Sequence, residues 1–211
     1  MGNYEKALQF LKQKYSESEY FQRKPWSMEY RINHSIRCAN IGREIARNEG
    51  LNEEAIAIAC LLHDVSYALD FKTKEDIINH GRTSAKMVRP FLKELGYNDE
   101  LIENMCYGIA IHVDDKADFP GTVNPFSYTI VASDNIDRFD TYRIYDNMEH
   151  VHFDKLSIDD QIIYVVKALK QLKKAKLLNF LTKTANAMWQ DKVLFQIKYF
   201  NRLLKQLQNS F

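Results

Sequence analysis

An all-α fold follows from three observations on this 211-residue chain. Apolar residues recur at helical spacing along almost its whole length, no apolar–polar alternation runs long enough for a strand, and only four Pro and seven Gly interrupt the pattern. The 45% hydrophobic content, with 27% charged residues, is that of a globular protein large enough to bury a core without disulfides or a structural metal. Stability alone therefore demands no metal.

Tyr4, Leu8, Leu11 and Tyr15 share one face of an opening helix within residues 1–30, and a second helix, from near His34, aligns His34, Cys38, Ile41 and Ile45. Asn52 followed by Glu53 and Glu54 predicts a capped helix start with acids in the first turn. The unbroken apolar run from Ala55 to Leu62 predicts a helix buried on nearly all sides, and it ends at His63 and Asp64. A loop is expected from Tyr67 to Lys74, then a helix from about His80 to Leu95 closed by Gly96. Asp99 is read as opening the next helix, on which Ile102, Met105, Ile109 and His112 share a face. Asp118, Pro120, Gly121, Asn124 and Pro125 mark 114–125 as a loop. Tyr128 to Asp140 resumes a helix with Asp134 in its interior. From Ile158 two amphipathic helices are expected, to about Met188 and then to Leu207. The expected division is a helical domain over 1–157, with its motif core at 34–140, and a basic C-terminal extension over 158–211.

Charge and cysteine usage bound the setting. The net charge of +1 conceals ten Lys or Arg against one acid, Asp191, after residue 160, which leaves the first 160 residues at −8. Cys38, Cys60 and Cys106 are odd in number, widely spaced and set in apolar patterns, so they read as buried free thiols of a reducing, cytoplasmic protein. No stretch approaches eighteen apolar residues, and no signal peptide is read at the N-terminus. The basic tail is a packing helix pair whose Lys residues can screen a polyphosphate or dock on the acidic body of a second copy, giving a homodimer. No nucleic-acid motif accompanies it.

His34, the adjacent pair His63-Asp64, and Asp134 fall on three predicted helices, each facing the core. Burying such groups without compensation costs several kcal/mol per charge, and a divalent cation removes that penalty. Asp137 and Asp140 are near rivals of Asp134, but Asp134 follows Ile130, Val131 and Ala132 at inward spacing. With its contexts Leu61-Leu62-His63-Asp64-Val65 and Ala132-Ser133-Asp134-Asn135, the pattern resembles the HD-domain metal-dependent phosphohydrolases, an all-helical superfamily, over roughly His34 to Asp140. The resemblance implies an HD-domain helical bundle in which His34, His63, Asp64 and Asp134 bind one divalent metal. His80, in Asn79-His80-Gly81-Arg82, and His112, in Ile109-Ala110-Ile111-His112, resemble the further histidines that hold a second metal in some members; otherwise they would contact substrate. The acidic pair of alarmone hydrolases is absent, since Val65-Ser66-Tyr67 stands there, and no Gly-Tyr-Pro signature follows. Alarmone and cyclic dinucleotide substrates lose weight accordingly.

Imidazole with carboxylate suits Mn, Fe, Co, Ni or Zn, with Mg also admissible, in one or two ions. Such a cation lowers the pKa of its water toward about 7 and screens phosphate charge. Asp64 is the expected catalytic residue, placed to bridge metals or orient the attacking water. Arg82 is the first choice for a phosphate-binding cation because a guanidinium meets phosphate oxygens bidentately, with Arg37 and Lys116 next. The expected activity is hydrolysis of a phosphoester or phosphoanhydride in a small molecule, a nucleotide above all. The rival reading is a ligand-sensing or scaffolding module that keeps the fold and the metal.

Overall fold

The structure, a computed structural model, describes residues 1–210. Among these residues there are eleven α-helices, two short 3-10 turns and no strand. The helices are α1 (Asn3–Ser16), α2 (Glu19–Arg23), α3 (Pro25–Glu49), α4 (Glu53–Leu62), α5 (Lys74–Ile78), α6 (His80–Glu94), α7 (Asp99–Ile111), α8 (Pro125–Arg138), α9 (Thr141–His150), α10 (Ile158–Ala175) and α11 (Lys183–Gln208). No helix among the described residues is long and apolar enough to cross a membrane.

The Cα packing groups the chain into Met1–Asn135 and Ile136–Phe211. The boundary expected at 157/158 lies inside the second unit, where α9 packs on α11 and α10 also packs on α11.

In the first unit α4 is the centre, with α3, α1 and α7 packed around it. All eight residues from Ala55 to Leu62 are buried, so past its first turn, where Glu54 is exposed, nothing on α4 faces water. Its start is fixed by the Asn52 side chain, which accepts from the Ala55 amide at 3.0 Å. Asn52→Ala should therefore lower stability by about 1 kcal/mol, the usual value of such a cap, in a urea melt. Helix α8 comes close to α7 at Gly108, where an added Cβ would lie 2.6 Å from the Ser127 carbonyl. Only a residue without a side chain permits that approach, which holds the segment carrying Asp134.

Several boundaries differ from the sequence expectation. Helix α3 begins at Pro25, nine residues before His34, because Pro is favourable in the first turn and the N-terminal stretch is pinned by Ser18 capping α2. Helix α7 opens at Asp99 as expected, with Asn98 as its cap. Helix α8 starts at Pro125 rather than Tyr128 and ends at Arg138; Asp140 instead caps α9, a helix the sequence reading did not isolate. The final break falls at 176–182 rather than near 188. There Thr182 caps α11, and the Asn186 amide bonds to the Phe180 backbone on both sides, closing a turn without Gly or Pro.

Candidate metal centre

Helix ends position most of the donors. His63 and His112 stand at the C-caps of α4 and α7, and His80 opens α6 just after α5. The last carbonyls of a helix lack intrahelical partners, and a ring N–H can satisfy one of them. His63 Nδ1 lies 2.7 Å from the Cys60 carbonyl, His112 Nδ1 2.7 Å from that of Ile109, and His80 Nδ1 2.5 Å from that of Ile77. A carbonyl only accepts, so each Nδ1 carries the hydrogen and each Nε2 of a neutral ring presents its lone pair.

These lone pairs converge on two buried carboxylates. Asp64 Oδ1 lies 3.1 Å from His80 Nε2, 3.5 Å from His112 Nε2 and 3.6 Å from His63 Nε2. Its other oxygen is 3.8 Å from His34 Nε2. Asp134 Oδ1 lies 3.2 Å from His34 Nε2 and 3.7 Å from His63 Nε2. His34, His63, Asp64 and Asp134 are all at most 4% exposed. Asp64 thus sits between two groups, His34, His63 and Asp134 on one side and His80 and His112 on the other.

Such a set is short of positive charge. His63 Nε2 is buried with no hydrogen-bond partner, and His80 Nε2 and His112 Nε2 face each other at 2.9 Å, where two lone pairs would repel. Donors about 2.0 to 2.2 Å from a common ion stand roughly 2.9 to 4 Å apart, the range of these separations. Among the described residues, the donors close enough to share one ion group as His34, Cys38, His63 and Asp134, and as His63, Asp64 and His112, so the set fits a divalent cation, with Asp64 also 3.8 Å from His34 and 3.1 Å from His80. Burial alone would raise both carboxyls; positive charge on the ring side, with Arg31 beside Asp64, outweighs it and holds both well below the usual carboxylate range, a charge that a cation supplies when the Nε2 atoms carry lone pairs.

Three contributors escaped the sequence reading. Arg31 Nη1 donates to Asp64 Oδ2 at 2.8 Å, and its guanidinium lies 3.5 Å from the centre of the Tyr67 ring. Its signal was available, since Arg31 precedes His34 by three residues and so shares its helix face. The Tyr15 hydroxyl donates to the Asp64 carbonyl at 2.9 Å from α1, 49 residues away, and no sequence signal marks it. Cys38, read as core, has its sulfur 3.7 Å from both ring nitrogens of His34.

The cations singled out from sequence are placed differently from one another. Arg82 donates to Asp114 Oδ1 and Oδ2 at 2.7 and 3.3 Å, to Asn79 Oδ1 at 2.8 Å, and to the carbonyls of Lys116 and Ile78 at 2.8 and 3.0 Å. A phosphate reaching it would have to displace one of these acceptors. Arg82 ties the start of α6 to the loop after His112, a framing contact. Lys116 is exposed on that loop, and Arg37 is half-buried one turn after His34. Asp137 is buried, whereas Asp140 caps α9 and pairs with Lys192 at 2.6 Å.

Gly81 sets the distance between α6 and α7. A Cβ there would stand 2.8 Å from the carbonyls of Ala110 and Ile109 and 3.0 Å from His112 Nδ1. Gly81→Ala should push His112 off the Ile109 carbonyl and cost about 1–3 kcal/mol by overpacking. A thermal melt and the proton spectrum of His112 check it.

A buried set of histidines and aspartates, most of them at helix ends of an all-α bundle, makes a candidate divalent-metal centre. The model of the HD domain family matches residues 31–142, more than half of the chain, and the chain belongs to that family. A similar solved structure is that of a predicted HD superfamily hydrolase from an uncultured Thermotogales bacterium, with a TM-score of 0.64 and 16% identity. The match covers 97% of this chain and 93% of that one, and at this identity the likeness is one of fold. None of the curated proteins matches the chain.

Proposed function

We propose that the protein is a cytoplasmic metal-dependent phosphohydrolase that cleaves a phosphoester or phosphoanhydride bond in a small molecule, with a nucleotide as the favoured substrate. The observation that carries this reading is the convergence of Nε2 lone pairs on two ionised carboxylates, one of those nitrogens being buried without a partner. A divalent cation held there supplies a nucleophilic water at neutral pH and neutralises phosphate charge.

The chain's own residues have separate tasks in this reading. His34, His63, Asp64 and Asp134 hold the cation, and His80 and His112 hold the second. Asp64 also orients the attacking water by accepting a hydrogen bond from it. Arg31 keeps that carboxylate ionised and fixes its rotation, and Tyr15 anchors its backbone. Arg82, Arg37 and Lys116 are the cations that a phosphate can meet, Arg82 on giving up one of the acceptors through which it also holds the frame around His80 and His112. The setting is taken as reducing because all three cysteines are buried and free; burial pushes the Cys106 thiol up to about 11.

A panel of nucleotides and simpler phosphate esters, assayed with Mn, Co, Ni and Mg alongside elemental analysis, tests the reading. Release of phosphate dependent on one of these metals is expected. Tight metal binding without turnover on any ester would overturn it in favour of a sensing module.

A further inference from the structure

The unit formed by residues 136–210 contains a cavity that the hydrolytic reading does not use. It has a volume of about 260 Å³ and is lined by the end of α8 and by α9, α10 and α11. Its floor is apolar, made by Phe139, Ile144, Leu172 and Phe200. Arg138 and Arg143 also line it, together with the amides of Asn147, Gln171 and Gln196, and no acidic residue does. Arg143 Nη1 meets Asp146 at 3.1 Å, which engages one edge of its planar fork. Gln196 is 7% exposed and is fixed by donating to the Phe139 carbonyl at 2.6 Å, so one polar wall is rigid.

The space is a half-open cleft, with Arg138, Asn147 and Gln171 exposed at its rim, and its volume is several times a water's share of liquid volume, about 30 Å³. Two guanidiniums beside an apolar floor form an amphipathic lining: the cations meet an anionic group and the aromatic and aliphatic floor takes an apolar body. Ordinary ligand pockets begin near 300 Å³, so the size limits the occupant to something compact.

We propose that this cavity binds a compact organic anion, one phosphate or carboxylate group on a single flat ring or short alkyl body, with Arg138 and Arg143 on the anion and Phe200 and Leu172 against the body. The site belongs to the second unit and carries its own recognition chemistry, separate from the histidines and aspartates of the first.

Trp189 gives a direct readout. It is fully buried, and its ring lies 4.4 Å from that of Phe139, a floor residue. Trp26, the other of the two tryptophans, is exposed and is removed as Trp26→Phe. In that background Trp189 emission is titrated with phenylphosphonate, which is not hydrolysed, with benzoate, and with inorganic phosphate. A saturable change with the ring-bearing anions is expected, and the stronger of the two identifies a phosphate or a carboxylate head. Arg143→Gln should raise Kd by about tenfold or more, the loss of a charge-assisted hydrogen bond. Ala168→Phe, which fills the cavity from α10, should abolish the change even if the arginine variant folds poorly. Asp64→Asn in the metal centre should leave the titration unaltered. The proposal is overturned if neither ring-bearing anion gives a saturable change, or if the change survives Ala168→Phe and disappears in Asp64→Asn.

Discussion

Asp64→Ala is expected to remove the cation and turnover together while the helices stay folded. Asp64 lies within 4 Å of all four site histidines, so its loss takes an oxygen from both proposed metal positions. Turnover should fall by about a thousandfold or more, the scale seen when a principal electrostatic contributor to a transition state is removed. The fold should survive because the carboxylate side chain is not part of the apolar packing around α4. In the parent, cation at about a hundredfold over its Kd should add roughly 2.7 kcal/mol and raise Tm by about 5–10 °C. The variant should lose that rise and otherwise melt near the metal-free parent. Retained turnover would remove Asp64 from the mechanism, and collapse of the fold would make it structural.

The second large effect is expected from replacing His80 and His112 together by alanine. Their Nε2 atoms face each other at 2.9 Å with Asp64 Oδ1 beside both, an arrangement of acceptors that calls for positive charge. Titration with Mn or Co should saturate near two ions per chain in the parent and near one in the double variant. Because this position has fewer protein donors, protein as purified should hold close to one. If the second cation acts on the transition state, kcat and kcat/KM should fall together by about a hundredfold or more. If these histidines instead bind substrate, metal content would be unchanged and KM alone would rise.

The helical class and five of the converging donors were legible because they rest on local chemistry. An apolar run as continuous as Ala55–Leu62 has no place but the interior, and His63-Asp64 at its end inherits that burial. His34, His112 and Asp134 sat at inward spacing on their own helices. Three features were not legible, for three physical reasons. Tyr15 reaches the Asp64 carbonyl across 49 residues, and tertiary contact of that kind leaves no periodic trace. Arg82 carries the right chemistry for phosphate, but its partners are acceptors on a loop 32 to 34 residues away, which spacing cannot reveal. The break before α11 is made by side-chain bonds from Thr182 and Asn186, so a reading that looks for Gly and Pro passes over it.

The central claim is that His34, His63, Asp64 and Asp134 hold one divalent cation. Anomalous diffraction from crystals of the purified protein, collected at the absorption edge of the metal found by elemental analysis, tests it most directly. The account predicts a peak bounded by these four side chains, with ligand distances of about 2.0–2.3 Å. A metal-replete crystal with its peak elsewhere, or with Asp134 turned away from His34 and His63, would contradict it.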